Sequence, residues 1–473
     1  MFKSVSNRPR SLTALHQDFT LRQPKFRQVA QGQFLTTIFA MKITDMIVTP
    51  VAMGDPPLRN AAGLHAPYAL RVIVELLTDA GIYGLGEMPG GASILADLNA
   101  IRARVIGHDP FQLNAIAQAI EAHFDMIDMR RSFSQQDENY GKAAHKFART
   151  YSPIEVACYD IMGKAIGRPV CDLLGGRVRE RVPFSAYLFF KHVGKGGDLG
   201  FGVEPDKTGW DAARQAEALT PETLVAQAQA MCAAFGFRSI KLKGGALEPE
   251  IEVASILALR EAFGPDTPLR LDPNAVWSVP TAIRWGEQMR GALEYYEDPV
   301  RGQSAMAEVG QALGIPLATN MCTTSFEDMP GSVQLGSEQI ILSDHHFWGG
   351  LRASLELARM CRTFGRGLSM HSNSHLGISL MAMSHLAAAT PNLTYACDTH
   401  YPWQWEDVIV GGRIPIADGC VTVTNAPGLG VELDRAALAR LHDNYVRCGL
   451  TERNDEIEMQ KVIPGWRFMS VRW

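Results

Sequence analysis

The sequence predicts an α/β protein in which a closed parallel β/α barrel is joined to a smaller α+β capping domain. Three observations lead to this prediction. Short β-rich runs alternate with longer amphipathic segments across residues 179–410. Residues 41–178 show strand patterns followed by helical patterns. Polar side chains end nearly every strand of the alternating region, and in a parallel barrel all of these strand ends meet at one rim.

Residues 1–40 differ in composition from the rest of the chain. They are rich in Arg, Lys, Gln and Ser, and Asp18 is their only acidic residue. This composition is compatible with an organelle transit peptide. The alternative is an upstream tail before a second possible start at Met41, where an alternating strand pattern begins. We favour the tail and expect it to be poorly ordered.

The capping domain is predicted for residues 41–178. Residues 41–89 read as strands with a turn at Asp79–Gly81, which predicts an antiparallel meander. Residues 93–175 then place apolar side chains at helical spacing, as in LADLNAIRARVIG and PIEVACYDIMGKAIG. Strands followed by helices indicate a small α+β unit.

The barrel is predicted for residues 179–410. Its strand candidates are, in order, VPFSAYLFF, FRSIKLK, PLRLD, LEYYE, PLATN, QIILSD, GLSMHS and LTYACDTH. Each is followed by a segment long enough for a helix, as a parallel barrel requires. From about residue 411 the chain returns to β and turn signals.

Composition excludes several classes of partner. The chain has 473 residues, of which 46% are hydrophobic and 20% charged, with a net charge of −5 and no basic stripe, so we expect no nucleic acid. No run approaches the roughly 18 apolar residues of a membrane helix, so we expect a soluble protein. Eight cysteines lack the C-x-x-C spacing of zinc and redox sites and are predicted to be buried thiols in a reducing, cytoplasmic compartment.

Polar residues close six consecutive strands of the predicted barrel at intervals of about 23 to 31 residues, one β/α unit each. Considered alone, Asn320 or Asp344 would be explained better as a helix N-cap. Capping does not readily explain the same feature in six strands. The residues are Lys241, Lys243, Asp272, Asn274, Glu297, Asn320, Asp344 and His371.

Three of these side chains form a predicted metal site. Asp272, Glu297 and Asn320 offer oxygen ligands from adjacent strands, which suits Mg²⁺ with positions left open for a substrate. Zinc would favour nitrogen or sulfur ligands. Mg²⁺ is therefore the predicted cofactor.

Bases are predicted on both sides of this metal. Lys241 and Lys243 are two residues apart on one strand, so their side chains point the same way, roughly 6 to 7 Å from each other. A neighbouring ammonium group and a dication both lower a lysine pKa, so we expect Lys241 to tune Lys243 as a base. On the other side, Asp344 is predicted to orient His371 and to favour its protonated form. Two bases and a metal suit proton removal next to a carboxylate, which requires stabilisation of an enediolate.

The chain resembles the enolase superfamily from about Met41 to Trp466, and within it the glucarate dehydratase subgroup. The resemblance rests on SIKLKGG, LDPNAVW, YYEDP, PLATNM, LSDHHFW, SMHSNSH, CDTHYPWQW, PGLGVELD and MQKVIPGW, in this order. Asparagine as the third ligand and the pair of His371 with Asp344 are typical of this subgroup. The resemblance implies a modified (β/α)7β TIM-like barrel, with a cap built from the N-terminal region and from residues 411–473.

The resemblance also implies residues that bind the distal end of a substrate. Arg453, in GLTER, is well suited to hold a distal carboxylate with two hydrogen bonds. Asn274 would hydrogen-bond the enediolate or a nearby hydroxyl. The implied substrate contacts are Asn60, His65, Tyr187, His400 and Arg453.

The implied reaction is dehydration of an acid sugar, D-glucarate to 5-dehydro-4-deoxy-D-glucarate. Galactarate or another aldarate as substrate remains open, as does epimerisation or racemisation at the same site, because segment 130–152 and the loop after Glu297 depart from the family pattern. A non-catalytic binding protein is the remaining alternative, although all the predicted ligands and bases are present. We also expect a homo-oligomer, since barrels of this kind commonly associate symmetrically.

Overall fold

The computed structural model describes residues 41–125, 138–199 and 208–473 of the protein. The predicted tail, residues 1–40, and part of segment 130–152 lie outside these described residues. Among the residues described, no helix is both long enough and apolar enough to cross a membrane. All eight cysteines are described and are free thiols; four are buried as predicted and four are half-buried.

A three-stranded antiparallel sheet forms the first part of the cap. Strand β1 (Ile43–Gly54) pairs with β4 (Tyr68–Thr78), which pairs with β5 (Tyr83–Pro89). Between β1 and β4, the short strands β2 (Arg59–Asn60) and β3 (Gly63–Leu64) form a small hairpin. The meander predicted for residues 41–89 is confirmed.

Helices follow the sheet, as predicted for residues 93–175. The long third helix lies directly on β5: a Cβ atom added to Gly86 would lie 1.9 Å from the carbonyl oxygen of Pro153, so only glycine permits this approach. The helices are α1 (Ala92–Val105), α2 (Leu113–His123), α3 (Glu138–Ile166) and α4 (Val170–Leu173).

Eight parallel strands form the nearly closed barrel, one at each predicted position. The first and last of them pair with each other, while the seventh and eighth are joined by a hydrogen bond of 2.9 Å from Ser369 Oγ to the carbonyl oxygen of Ala396. The strands are β6 (Arg181–Phe189), β7 (Ile240–Lys243), β8 (Leu269–Asp272), β9 (Tyr295–Glu297), β10 (Leu317–Thr319), β11 (Ile340–Ser343), β12 (Gly367–Met370) and β13 (Cys397–Asp398).

Helices follow the first seven barrel strands, but a short 3₁₀ turn, Tyr401–Trp403, follows the eighth. The strand pattern placed a helix-length segment after every strand, which does not hold for β13. The (β/α)7β form that the resemblance implied is confirmed. A further 3₁₀ turn, Phe326–Asp328, precedes α10. The barrel helices are α5 (Gly209–Gln215), α6 (Pro221–Phe235), α7 (Pro249–Phe263), α8 (Val279–Gln288), α9 (Gln303–Leu313), α10 (Met329–Leu335), α11 (His345–Trp348), α12 (Leu351–Thr363) and α13 (Gly377–Ala389).

The C-terminal segment returns from the barrel to the cap. Strand β14 (Cys420–Thr422) pairs antiparallel with β6. Helix α14 (Arg435–Cys448) then packs along β1, where His442 Nδ1 lies 2.8 Å from the carbonyl oxygen of Pro50. Helix α15 (Asp455–Val462) contacts β3.

Helix α13 connects the barrel core to the cap. All thirteen of its residues are buried, and it contacts both β5 of the cap sheet and β6 of the barrel. A helix that is apolar on every side must be covered on every side. Residues carried by α13 therefore lie between the two layers.

Candidate active site

The C-terminal ends of β7, β8 and β9 bring the two lysines against carboxylates. Lys241 is fully buried, and its Nζ lies 2.6 Å from both Glu297 and Asp398 Oδ2 and 3.6 Å from Asp272 Oδ2. Burial acts to lower the pKa of Lys241, but Asp398 and Glu297 outweigh it and hold the pKa well above its usual value. Lys241 is therefore a fixed cation at this rim.

Lys243 contacts a different pair of side chains. Its Nζ lies 2.7 Å from Asp272 Oδ2 and also donates to Asn274 Oδ1. Burial and Lys241 both act to lower the pKa of Lys243, but Asp272 and other neighbouring groups outweigh them and raise it. Lys241 thus acts in the predicted direction, while the carboxylate of Asp272 acts against it; a dication bound by Asp272 would act in the same direction as Lys241.

Strained backbone follows the strands that hold the carboxylates. Asn274, Ala275 and Asp298 have positive φ angles of 58°, 59° and 36°, in the region that side-chain-bearing residues rarely adopt. The Ala275 amide donates to the carbonyl oxygen of Asp298 over 2.7 Å, and the Asn274 amide donates to Asp272 Oδ1 over 2.9 Å. These bonds offset the strain and fix Asn274 beside Lys243.

The three predicted metal ligands lie on adjacent strands. Asp272 and Glu297 are buried, and Asn320 Nδ2 lies 3.2 Å from Glu297 Oε1. Burial, followed by the charge of Asp272, holds the pKa of Glu297 well above its usual value. Two buried carboxylates that oppose each other's ionisation, with an amide beside them, form an oxygen-rich set that a hard cation would stabilise. The residues fit a magnesium site.

A third group of side chains surrounds Asp344. His371 Nδ1 lies 2.9 Å from Asp344 Oδ2, and His346 Nδ1 lies 2.9 Å from Asp344 Oδ1. Asp344 is also the N-cap of α11, since Oδ1 accepts from the His346 amide. Burial acts to raise the pKa of Asp344, but the two imidazoles outweigh it and hold the pKa well below its usual value. This one carboxylate therefore both caps α11 and orients His371.

Three of the implied substrate residues meet around one aromatic ring. The rings of His65 and His400 stack with centroids 5.9 Å apart, and Phe189 lies 5.7 Å and 5.2 Å from them. Tyr187 contacts Phe189 at 4.7 Å. His65 Nδ1 lies 2.9 Å from Asp55 Oδ2, whereas neither ring nitrogen of the buried His400 has a hydrogen-bond partner among the described residues. Burial lowers the pKa of His400 to about 3.

The other two implied contacts converge on a carboxylate at the start of α15. Asn60 Nδ2 donates to Asp455 Oδ2 over 2.8 Å, and Arg453 donates from Nε to Asp455 Oδ1 over 2.6 Å. A further Arg453 nitrogen donates to Oδ2 over 2.5 Å. The guanidinium thus binds a carboxylate of this chain with two hydrogen bonds, whereas its contact with a substrate carboxylate stays a prediction.

Comparison with known proteins agrees with this architecture. Residues 42–175 match the family described as mandelate racemase / muconate lactonizing enzyme, N-terminal domain, and residues 223–437 match the enolase C-terminal domain-like family. The chain is 45% identical over 440 residues to a probable glucarate dehydratase from Streptomyces coelicolor, covering 92% of this chain and 99% of that protein. The chain belongs to the enolase superfamily.

Solved structures of other enolase-superfamily members match this one closely. An enolase from Pseudomonas fluorescens, bound to magnesium, potassium and tartrate, is 49% identical, with a TM-score of 0.83 over 92% of this chain and 100% of that chain. An enolase from Mycobacterium smegmatis, complexed with tartrate, is 50% identical, with a TM-score of 0.83 over 92% of this chain and 99% of that one.

Several residues of this enolase-superfamily site were not predicted from the sequence. Asp398 ends the eighth strand within CDTH, from which the prediction selected only His400. His346 follows Asp344 by two residues, and Phe189 follows Tyr187 by two on the same strand. Period-two spacing on a strand was a usable signal for Phe189. Closure of the barrel, which brings Asp398 to Lys241, was the available signal for Asp398.

Proposed function

We propose that this protein is a Mg²⁺-dependent acid-sugar dehydratase that converts D-glucarate into 5-dehydro-4-deoxy-D-glucarate. One observation supports this above all. Strands β8 and β9, which end in Asp272 and Glu297, and β10, which is followed by Asn320, lie in the sheet between β7, which ends in Lys243, and β12, which is followed by His371. Two bases thus stand on either side of one oxygen-rich ligand set.

The substrate class is supported by the relatives. A protein similar over nearly its whole length is a probable glucarate dehydratase, and two similar structures contain tartrate, a short dicarboxylate with hydroxyl groups. An aldarate such as D-glucarate likewise carries a carboxylate at each end, with hydroxyl groups between them. We infer that Asn60, His65, Tyr187, His400 and Arg453 bind the end of the substrate that does not react.

The bound cation would polarise the reacting carboxylate and offset the negative charge of Asp272 and Glu297, which makes both the adjacent C–H and Lys243 more acidic. His371 takes the α-proton of one substrate configuration through Nε2, while Asp344 holds Nδ1 as a donor. Lys243 takes the proton of the opposite configuration. Protonated His371 then gives a proton to the departing β-hydroxyl, which leaves as water.

Two further side chains support these steps. Lys241 remains a cation beside Glu297 and Asp398, so it places a fixed positive charge next to the reacting carboxylate. Asn274, held by its strained backbone, accepts from Lys243 and would hydrogen-bond a hydroxyl or the developing negative charge. We also infer that the enzyme acts in the cytoplasm, since its eight cysteines are free.

A second candidate is supported by the same pair of bases. If one base removes the α-proton and the opposite base returns it, the product is the epimer and no water is lost. An L-talarate/galactarate dehydratase from Salmonella typhimurium is 24% identical over 377 residues, so galactarate belongs in the same test.

The direct test is incubation of the purified protein and Mg²⁺ with a panel of hexarates and other acid sugars, with detection of 2-keto product. We expect product from D-glucarate, and none from the His371→Asn variant, which tests whether the signal comes from this site. Exchange of the α-proton without keto product would favour epimerisation. Absence of both from a folded, Mg²⁺-loaded protein would contradict the proposed function.

A further inference from the structure

A buried chain of hydrogen bonds joins the cap sheet to the predicted base His371. Asp344 accepts from His371 with one oxygen and from His346 with the other, both at 2.9 Å. His346 Nε2 lies 2.8 Å from Ser379 Oγ on α13, and Arg71 on β4 donates to the same hydroxyl over 3.4 Å. The chain therefore runs Arg71, Ser379, His346, Asp344, His371.

Arg71 is held firmly at the cap end of this chain. Its Nε donates to Glu87 Oε1 over 2.7 Å, and both side chains are buried. Glu87 in turn accepts from the amides of Leu376 and Ser379, each over 2.8 Å. A further nitrogen of Arg71 donates over 2.9 Å to Asn373, two residues after His371. The ion pair from the cap thus fixes the segment that carries His371.

Donor and acceptor chemistry sets the direction of the bonds at both ends of the chain. A guanidinium has only donors, so Ser379 Oγ accepts from Arg71. Ionised Asp344 has only acceptors, so His346 donates to it from Nδ1. When His346 is neutral, its Nε2 accepts the proton of Ser379. Asp344 is ionised and accepts from both imidazoles, so His371 also carries a proton on Nδ1 and presents Nε2 to the substrate.

The groups that face His346 do not disturb this arrangement. The ring centroids of His345 and His375 lie 4.0 Å and 4.9 Å from that of His346. Burial holds the pKa of both residues well below the usual value, so both are neutral. The hydrogen-bond chain adds the charged or titratable groups Asp344, His371 and the ion pair of Arg71 with Glu87.

We propose that His346, Ser379 and Arg71 are positioning residues that control proton exchange at His371 through Asp344. The inference rests on the proposed function for the role of His371. His346 draws part of the negative charge of Asp344 toward itself, so Asp344 binds protonated His371 less strongly than an unshared carboxylate would. Loss of the His346 donor should raise the pH at which His371 gives up its proton.

The test compares His346→Leu, which removes the donor, with His346→Asn, whose amide nitrogen can replace Nδ1. The first readout is the pKa of His371 by NMR of ¹⁵N-labelled histidine, with the His371 signal assigned by its loss in His371→Asn. We expect His346→Leu to raise that pKa by about one unit, which corresponds to about 1.4 kcal/mol, because Asp344 then shares its charge with one imidazole fewer. His346→Asn should stay near wild type.

The second readout is the pH profile of α-proton exchange on the acid sugar. We expect His346→Leu to lower kcat by roughly tenfold at pH values below the wild-type pKa of His371, with KM little changed. Ser379→Ala should shift the pH profile in the same direction as His346→Leu, but by a smaller amount. Ser379→Thr keeps the hydroxyl and should have the wild-type profile.

Failure of the inference is distinct from failure of the function. If the leucine and asparagine variants are folded and leave the His371 pKa and the profile unchanged, His346 only fills space and the inference is wrong. If the NMR shift appears but no acid sugar exchanges with wild type, the hydrogen-bond chain is correct and the proposed reaction is not.

Discussion

Asp272 is the residue on which the proposed chemistry depends most directly. Its carboxylate contacts Lys243 and lies 3.6 Å from Lys241, and its charge opposes ionisation of Glu297. We expect Asp272→Asn to abolish detectable Mg²⁺ binding by calorimetry and to abolish turnover, because the ligand set loses a negative charge. The fold should persist, since the residue ends its strand at the rim.

The matched control is Asp266→Asn, which changes an exposed carboxylate that precedes the same strand. It should bind Mg²⁺ and turn over as wild type does. In the wild-type protein, excess chelator should remove activity and added Mg²⁺ should restore it. Full activity in the presence of chelator would contradict the metal-dependent mechanism.

Lys243 and His371 should act on opposite configurations of the reacting carbon. Solvent deuterium incorporation, measured by NMR on both epimers, separates them. We expect His371→Asn to lose exchange and elimination on D-glucarate, and Lys243→Ala to lose exchange on the opposite epimer. Lys241→Met should raise the kinetic pKa of Lys243, because the neighbouring ammonium is removed.

The contradicting outcome is specific. If Lys243→Ala exchanges both epimers as fast as wild type, the lysine pair serves the structure and not the reaction, and the two-base mechanism is wrong.

Individual residues show where sequence reasoning succeeds and where it stops. Strand periodicity was enough to bring Lys243, Asp272 and Glu297 to one rim, because neighbouring parallel strands end together. Periodicity could not predict in which direction the pKa of Lys243 shifts. That direction depends on the 2.7 Å contact between Lys243 and Asp272 on the neighbouring strand. Periodicity also gave no reason to choose His346, since sharing of Asp344 between two imidazoles is visible only in three dimensions.

At the scale of elements, the N-terminus of α12 is capped by a side chain from another helix, α3. The N-cap of α12 is Gly350, which has no side chain, and Glu155 on α3 accepts from the Leu351 and Arg352 amides instead. A carboxylate suits a helix N-terminus because it satisfies free amides and the helix dipole. At this junction the cap contacts the barrel through the buried side chain of Glu155.

Gly350→Ala should disrupt this junction. Gly350 has φ +106°, and an added Cβ would lie 1.9 Å from Glu155 Oε2. We expect the free energy of unfolding, measured in urea, to fall by roughly 2 to 4 kcal/mol, through backbone strain and displacement of a buried carboxylate. Gly264→Ala is the control: φ is +82° but no atom lies within 4 Å, so only the strain remains. Equal losses in the two variants would contradict a role for Glu155.

Glu155 should also make stability depend on pH. Burial raises its pKa from 4.5 to about 7 in the folded protein. Between these values the folded state binds more protons than the unfolded state, so the contribution of Glu155 to stability falls as pH rises from about 4.5 to 7. Compared with Glu155→Gln, wild type should lose up to roughly 3 kcal/mol of unfolding free energy between pH 5 and pH 8. A pH-independent difference would contradict the raised pKa.

The elements themselves were largely predictable. All eight barrel strands were found because buried parallel strands are short β-rich runs separated by helix-length segments. The strand pattern alone did not show that β13 lacks a following helix; the resemblance to the enolase superfamily did, through the (β/α)7β barrel that it implies. Length alone cannot separate a 3₁₀ turn with an irregular connection from a helix.

At the scale of the whole molecule, the proposed site requires residues from every layer. The cap hairpin supplies Asn60, and the C-terminal segment supplies Arg453. The last residues also join the layers. The Arg472 side chain donates to the carbonyl oxygen of Ala61 in the cap over 3.1 Å. The Arg472 backbone amide donates to the carbonyl oxygen of Val276 in the barrel over 2.8 Å. A substrate pocket of this kind therefore forms only when cap, barrel and C-terminal segment are assembled together.

Residues 1–40, by contrast, should be dispensable. The unit from Met41 to Trp473 contains the whole barrel, the cap sheet and every residue proposed to act on the substrate. Strand β1 begins at Ile43, which is buried, and the Lys42 amide is bonded to Asp79 over 2.9 Å, so the fold is anchored within two residues of Met41.

We expect a variant that begins at Met41 to keep the melting temperature, Mg²⁺ affinity and turnover of the full chain. A variant that begins at Val51 is the control, because it removes most of the pairing of β1 with β4 and should fail to fold. If the Met41 variant were insoluble or inactive, residues 1–40 would have to contribute to the cap or barrel, and their interpretation as a tail would be wrong.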